Sequence, residues 1–196
     1  MRSLPFLVLL VFVGLGCGGS SHEEEGFPPP EVTFKDLGLD PKAPGFAEEV
    51  QSLRDQMIND GDFKGLEKLS VAMDQHEQDT KGRWLRDLGM ARVFLGKTEE
   101  AKRALEKSLR KDDTSPDSHG YLALAYLLEQ EDGQAEGQFK HARGYATEQK
   151  VPLPPIVNGF AMVVVDSDAD TASEILQPYL AVEQWKKLYE RLQSTE

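Results

Sequence analysis

The chain has 196 residues, of which 39 % are hydrophobic and 29 % charged, a balance typical of a folded globular protein. Its formal net charge of −12 argues against a nucleic-acid partner, because phosphate binding requires a surplus of lysine and arginine. The single cysteine, Cys17, excludes an intrachain disulfide. We therefore expect one acidic domain of ordinary size with a short appendage.

The first seventeen residues have the three parts of a bacterial export signal. Arg2 supplies a positive charge, an apolar stretch follows from residue 4 to residue 13, and glycines around Leu15 precede Cys17. The apolar stretch is shorter than the roughly 20 residues that span a bilayer, and it has the length of a signal-peptide core. The segment resembles a bacterial lipobox, in which the cysteine is acylated after removal of the signal peptide.

This resemblance implies a signal peptide at residues 1–16 and a lipid on Cys17 that holds the protein at a membrane of the cell envelope. Gly18, and not aspartate, follows the cysteine, which favours the outer membrane and a body that faces the periplasm. Each buried methylene of an acyl chain contributes roughly 0.8 kcal/mol, so two or more chains give stable attachment. An ordinary secretory signal and an uncleaved anchor are the alternatives.

Residues 17–45 are predicted to form a flexible tether. Glycine, serine, glutamate and proline dominate this segment, hydrophobic periodicity is absent, and three prolines at 28–30 favour an extended chain. The acidic run at 22–25 lacks the pair of histidines, four residues apart, that zinc proteases use. We therefore expect a spacer that separates the membrane from a folded body at residues 46–196.

From residue 46 onwards, apolar residues recur at steps of three and four, which is typical of amphipathic helices. Ser115 followed by Pro116 predicts a helix start, and Gly61 and Gly96 predict helix ends. The predicted helices cover residues 46–58, 62–77, 83–95, 98–111, 116–130, 132–147, 155–165, 169–180 and 182–193. The body is therefore predicted to be all-α.

The strongest internal pattern is a self-similarity with a spacing of 34 residues. It pairs Leu88 with Leu122, Gly89 with Ala123, Ala101 with Ala135, Leu105 with Phe139 and Ser108 with Ala142. This order of small and large residues in two successive helices resembles the tetratricopeptide repeat. The resemblance implies a solenoid of about three to four helical hairpins, two of them degenerate, with a C-terminal capping helix. A generic helical bundle is the alternative.

In tetratricopeptide proteins the first helix of each hairpin lines a concave, partner-binding groove. Carried over position by position, the resemblance implies a groove formed by Arg83, Arg86, Met90, Val93, Asp117, Gly120, Tyr121 and Leu124. Guanidinium groups bind carboxylates in bidentate geometry. The expected partner is therefore a protein or peptide that combines an acidic or C-terminal carboxylate with an apolar anchor.

The stretch from Lys81 to Lys111 carries ten basic and four acidic residues in an otherwise acidic protein. One interpretation is a docking surface that steers an acidic partner towards the repeats. The other is a solvated helix face on which glutamate and lysine neighbours stabilise the helix. The composition leaves both open.

No pattern in the sequence favours catalysis, a metal or a cofactor. Asp166, Asp168 and Asp170 begin like a calcium loop, but Thr171 and Gln177 stand where that loop requires glycine and glutamate. The four histidines have no metal-ligand spacing. The sequence therefore favours a membrane-tethered adaptor or scaffold in a cell-envelope complex. A helical envelope enzyme and a passive structural lipoprotein are the alternatives.

Overall fold

The computed structural model of the protein describes residues 32–76 and 79–194, and these form helices and connecting turns without a strand. A 3-10 helix at Phe34–Leu37 precedes the α-helices. The α-helices of the described residues are α1 (Phe46–Asp60), α2 (Phe63–His76), α3 (Arg83–Phe94), α4 (Thr98–Lys111), α5 (Pro116–Leu128), α6 (Asp132–Gln149), α7 (Pro155–Asp166), α8 (Ala169–Leu176) and α9 (Glu183–Gln193). The predicted all-α fold is confirmed.

The helix ends follow from local chemistry. Gly61, at φ 71°, ends α1, and its N–H bonds to carbonyls of the last turn. The Ser115 hydroxyl accepts a hydrogen bond from the backbone N–H of Ser118 at the start of α5, where proline holds the first position. The predicted eighth helix is too long by four residues, since α8 ends at Leu176. Pro178 lacks the N–H that would continue it.

Successive helices pair into the hairpins α1–α2, α3–α4, α5–α6 and α7–α8, and we call the first helix of each pair A and the second B. A Cβ atom built on Gly89 would lie 2.3 Å from Cγ of Leu105. In the last hairpin, a Cβ atom on Gly159 would lie 2.6 Å from Cγ of Leu176. Glycine thus permits the close approach of A and B helices, and the helical-hairpin solenoid is confirmed.

The residues of the 34-residue pattern form the interior of this solenoid. All ten paired residues are buried, including Leu105 and Phe139 at 0 % exposure. The last hairpin, predicted to be degenerate, contributes Ala172 and Leu176, which are also fully buried. One apolar core runs from Leu66 in α2 to the last helix of the chain.

Residues 32–45, predicted to be part of the tether, belong to the folded body. Thr33 and Asp36 cap the 3-10 helix reciprocally, and Leu39 is buried with Val50 and Trp84 in a separate apolar cluster. The Phe34 ring lies in edge contact with Phe46, at a centroid distance of 5.3 Å. In this segment the packing of apolar side chains produces an ordered structure, although the proline and glycine content is typical of a loop. The rest of the predicted tether, the predicted signal peptide and Cys17 lie outside the described residues.

The C-terminal helix α9 does not stack on α8 in the way that α7 stacks on α6. It lies across the A helices instead, where Gln184 reaches the backbone of α3 over a separation of 91 residues. The predicted capping helix therefore packs along the C-terminal ends of α3 and α5 and against α7. We call the side of the solenoid formed by α3, α5 and α7 the A-helix face. Among the described helices, none is both long and apolar enough to cross a membrane.

Candidate interaction surface

The residues predicted to form the groove divide into a buried and an accessible group. Met90, Val93, Tyr121 and Leu124 are at most 7 % exposed and belong to the main core, as Gly120 also does by its burial. Arg83 is exposed, and Arg86 and Asp117 are partly exposed. The apolar centre of the predicted groove is therefore not an open surface, and only its charged edge is accessible.

Helix α9 packs against the C-terminal ends of α3 and α5, beside that apolar centre. The Trp185 ring is fully buried, with centroid distances of 5.5 Å to Phe94 in α3 and 5.9 Å to Phe160 in α7. The Gln184 amide donates to the carbonyls of Val93 and Phe94 at the end of α3, at 3.5 and 3.4 Å. The N-terminal half of α9 thus occupies the space between the A helices of the second and fourth hairpins.

The C-terminal half of α9 is attached by polar contacts. Arg191 forms a bidentate ion pair with Asp132, both N···O distances being 2.8 Å, and donates to the carbonyl of Leu127 at 3.0 Å. The Tyr189 hydroxyl donates to the carbonyl of Ala169 at 2.9 Å. Leu127 lies in the last turn of α5, Asp132 starts α6 and Ala169 starts α8. Together with the bonds of Gln184 to α3, these contacts join α9 to all three hairpins from α3 to α8.

A chain of ion pairs crosses the other end of the A-helix face. Asp87, only 1 % exposed, bonds to Arg54 of α1 at 2.5 Å and to Arg86 at 3.0 Å. Arg86 also lies 3.8 Å from Asp117 of α5. Burial lowers the pKa of Arg54, but its bonds to Asp87 outweigh that effect and raise the pKa overall. These pairs join α1, α3 and α5, so Arg86 has an internal role besides any role in binding.

An open cleft of about 920 Å³ lies beside this network, between α1, α2 and the start of α3. Its lining includes Phe46, Ala47, Val50, Met73 and Trp84, with Arg83 at the edge, and we call it the Arg83 cleft. Phe46 and Ala47 are its accessible apolar members. The sequence does not reveal α1 as part of a site, because the 34-residue pattern does not extend to it.

Arg83 also borders a smaller, more polar cleft of about 410 Å³. Lys81 and Arg86 line this cleft together with Asp79 and Asp112. The Arg83 guanidinium carbon lies 4.5 Å from the centroid of the Trp84 ring, a cation–π contact that orients it. A charged group bound at Arg83 would therefore have apolar surface on one side and polar surface on the other.

Part of the basic stretch, for which a docking surface was one of two interpretations, forms ion pairs within the fold. Arg92 and Lys97 both bond to Glu67 of α2, at 3.1 and 2.7 Å. Lys102 bonds to Glu131 at 2.9 Å, and Lys111 lies 3.6 Å from a carboxylate of α2. These contacts favour a structural role for four of the ten basic residues.

The described residues contain no group of three or more histidine, cysteine, aspartate or glutamate side chains placed to hold a metal. His119 is instead bonded through Nε2 to the carbonyl of Asp113 at 2.9 Å. Its ring lies 5.3 Å from that of His141 and 5.4 Å from that of Tyr145. These rings form a packed stack on α5 and α6.

Comparison with protein-family models and with curated protein sequences identifies no relative. No protein-family model matches the chain, and no curated protein matches its sequence. The resemblance to tetratricopeptide and lipobox sequences therefore stays a prediction, whereas the helical-hairpin architecture is established by the structure.

Proposed function

We propose that this protein is a membrane-tethered adaptor of a bacterial cell envelope, which binds a partner protein at the Arg83 cleft. The observation that carries the proposal is the combination of an open cleft of about 920 Å³ with an exposed arginine at its edge. Arginine is one of the residues that most often dominate the binding energy at protein interfaces.

The cleft fits a peptide segment with one apolar side chain and one carboxylate. The apolar side chain would contact Phe46 and Ala47, which are the accessible part of the lining. The carboxylate would pair with Arg83 in bidentate geometry, with Lys81 as a second cation nearby. Removing either group from the partner is expected to weaken binding.

A lipid on Cys17 would serve the same function by restricting the adaptor to the membrane surface. Restricting two binding partners to one surface raises their effective concentration. A cleft with modest affinity for the partner is then sufficient for stable assembly. The predicted tether, reduced to residues 17–31 by the folded segment that follows, would set the distance over which the cleft can reach.

The test compares the full-length protein with three variants in a bacterial host, each fractionated and then crosslinked in intact cells. Cys17→Ser should move the protein out of the membrane fraction or leave it unprocessed. Arg83→Glu should stay in the membrane and lose the crosslinked partner. Lys107→Glu, an equal charge change at an exposed position of α4, should retain the partner.

Two results would contradict the proposal separately. Membrane attachment that survives Cys17→Ser would exclude the lipid tether. Equal partner capture by Arg83→Glu and Lys107→Glu would exclude the Arg83 cleft as the binding site.

A further inference from the structure

The described residues begin at a defined place on the body, where α2, α3 and α4 meet. Val32 packs against a small apolar cluster formed by Val71 of α2, Leu88 of α3 and Ala104 of α4. The 3-10 helix that follows Val32 is held by a reciprocal cap at its start. Residues 18–31 therefore join the body at a site whose surroundings are set by the fold.

Three exposed lysines lie near this site, Lys35 in the 3-10 helix and Lys64 and Lys68 in α2. Lys68 precedes Val71 by one helical turn, and Lys64 lies one turn before Lys68 on the same side of α2. Among the described residues, no carboxylate forms an ion pair with any of the three lysines. We call the surface formed by Val32 and these lysines the Val32 face.

The neighbouring carboxylates of α2 are matched by cations of other helices. Glu67 bonds to Arg92 and Lys97, at 3.1 and 2.7 Å. Asp74 lies 3.6 Å from Lys111 of α4. These carboxylates are therefore compensated within the fold and do not neutralise the lysines of the Val32 face.

The remaining charges near this surface leave it positive. The carboxylate of Asp36 accepts hydrogen bonds from Thr33, which lower its pKa, and Lys68 lowers the pKa further. On α4, the exposed Glu100 and Lys107 lie one turn before and one turn after the contact with the Val32 face, and their charges offset each other. Three lysines thus stand against one carboxylate, in a chain whose formal net charge is −12.

The length of chain before Val32 relates this surface to the membrane. Residues 18–31 separate Val32 from Cys17, the predicted site of lipid attachment. A segment of this length spans at most about 50 Å even when it is fully extended. A lipid on Cys17 would therefore confine the Val32 face, more than any other part of the body, to the neighbourhood of the bilayer.

We propose that the Val32 face binds the anionic phospholipid headgroups of the membrane that carries the lipid anchor. This contact rests on the lipid tether of the proposed function and adds a second, electrostatic attachment to it. Each lysine near an anionic membrane surface strengthens binding about fivefold. Two attachments hold the body in one orientation, so that every copy presents the Arg83 cleft in the same direction.

The acidic character of the whole chain is compatible with this contact at physiological salt. Charges in solvent are largely screened from one another beyond about 8 Å at 0.15 M ionic strength. The lysines of the Val32 face would contact headgroups directly, whereas carboxylates on the other sides of the body would face bulk solvent. The contact should therefore be local in origin and should weaken as salt is added.

The test places the purified full-length lipoprotein in vesicles and measures how close the Val32 face lies to the bilayer. Gln75→Cys, at an exposed position of α2 one turn after Val71, carries a fluorescent donor, and the vesicles contain an acceptor lipid. An acylated Cys17 cannot react with the label. Energy transfer should be high in vesicles of phosphatidylethanolamine and phosphatidylglycerol, and low in phosphatidylcholine vesicles or at high salt.

Charge reversal of the three lysines should detach the face while the lipid keeps the protein on the vesicles. The variant combines Lys35→Glu, Lys64→Glu and Lys68→Glu. We expect the ratio of membrane-contacting to detached bodies to fall about tenfold or more. Flotation with the vesicles should be unchanged, and circular dichroism should show that the helices remain folded.

A second triple variant with the same net charge is the matched control. It reverses three exposed lysines of α6 and α9, namely Lys140→Glu, Lys186→Glu and Lys187→Glu. Energy transfer from position 75 should stay close to its original level, because these lysines do not lie on the Val32 face. Arg83→Glu should likewise leave energy transfer unchanged.

Equal energy transfer in anionic and neutral vesicles, or an equal loss in the two triple variants, would overturn the proposal. If reversal of Lys35, Lys64 and Lys68 left energy transfer intact but removed the crosslinked partner, these lysines would bind a protein and the membrane assignment would be wrong. Failure of the lipid tether has a different signature. The protein would then not float with vesicles of either composition, and Cys17 would accept the label.

Discussion

The central hairpins, α3 to α6, and the C-terminal helix α9 are both fully packed, but for different reasons. In the hairpins, small residues at fixed positions of a 34-residue pattern bring neighbouring helices together, as Gly89 does against Leu105. In α9, a buried tryptophan and an arginine contact helices that lie up to 91 residues earlier. Packing within the repeats is encoded locally, whereas the placement of α9 depends on a surface that exists only after the repeats have assembled.

The two tryptophans provide the largest expected test of this difference. Trp84 in the repeats and Trp185 in α9 are both 0 % exposed. Trp84→Ala should lower the free energy of unfolding of the body by about 3–5 kcal/mol, because it leaves a cavity in the apolar cluster that Trp84 forms with Leu39 and Val50. Trp185→Ala should instead detach α9 and leave the other helices folded. Chemical denaturation combined with hydrogen exchange distinguishes these outcomes.

Each of these variants keeps one tryptophan, since the chain has only two, so its fluorescence reports on the other region. If Trp185→Ala destabilised all helices equally, α9 would be an integral part of the solenoid and the distinction between the two regions would fail.

Gly89→Ala tests the close approach inside the repeats. The added Cβ atom would meet Cγ of Leu105 at 2.3 Å, and the Leu105 side chain is fully buried and cannot move aside. We expect a loss of about 2 kcal/mol in the free energy of unfolding, measured by urea denaturation. A neutral or stabilising effect would show that the spacing between α3 and α4 is adjustable.

Glu67→Gln tests the ionic contacts that join α2 to the central hairpins. Burial alone would raise the pKa of Glu67, but its bonds to Lys97 and Arg92 outweigh burial and lower it. The carboxylate therefore stabilises the fold above the ordinary pKa of 4.5, and this stabilisation is lost as the pH falls through the lower pKa of the folded state.

At pH 7 we expect Glu67→Gln to cost about 1.5 kcal/mol of unfolding free energy, and the difference should shrink in acid. Glu174→Gln, at an exposed position of α8, should have little effect at either pH. A cost for Glu67→Gln that persists in acid would point to packing and not to charge.

Gly137→Ala is the smallest expected effect and the counterpart of Gly89→Ala. A Cβ atom on Gly137 would meet no atom within 4 Å, so the substitution adds helix propensity to α6 without a clash. We expect the free energy of unfolding to rise by about 1 kcal/mol. The opposite signs for Gly89→Ala and Gly137→Ala would separate the role of glycine in packing from its cost in a helix.

Most of the fold could be predicted from the sequence because its determinants are local. Hydrophobic periodicity places the helices of the body, and the spacing of Gly89, Ala101 and Leu105 identifies which faces meet. The error at the N-terminal boundary also has a local cause. Proline and glycine suggested a loop, while the apolar signal consisted of isolated residues such as Phe34 and Leu39.

The candidate sites were less predictable because they depend on tertiary packing. The positions of Met90 and Leu124 on A helices are those expected for a groove, but no local pattern reveals that both side chains are buried in the main core. The amphipathic face of α9 predicts only that it packs somewhere. Likewise, the Arg83 cleft is formed by three helices that are brought together by the fold, with α1 outside the recognisable repeat.

The course of α9 has a mechanical consequence. A solenoid whose units contact only their neighbours can bend and stretch like a spring, because each interface yields a little. Helix α9 is fastened at the end of α3 by Gln184 and beside the start of α6 by Arg191, and its Trp185 ring lies between Phe94 and Phe160. It therefore links hairpins that are not neighbours in the chain and holds their spacing fixed. A force that pulls the hairpins apart should meet high stiffness until α9 detaches, and the solenoid should extend easily after that.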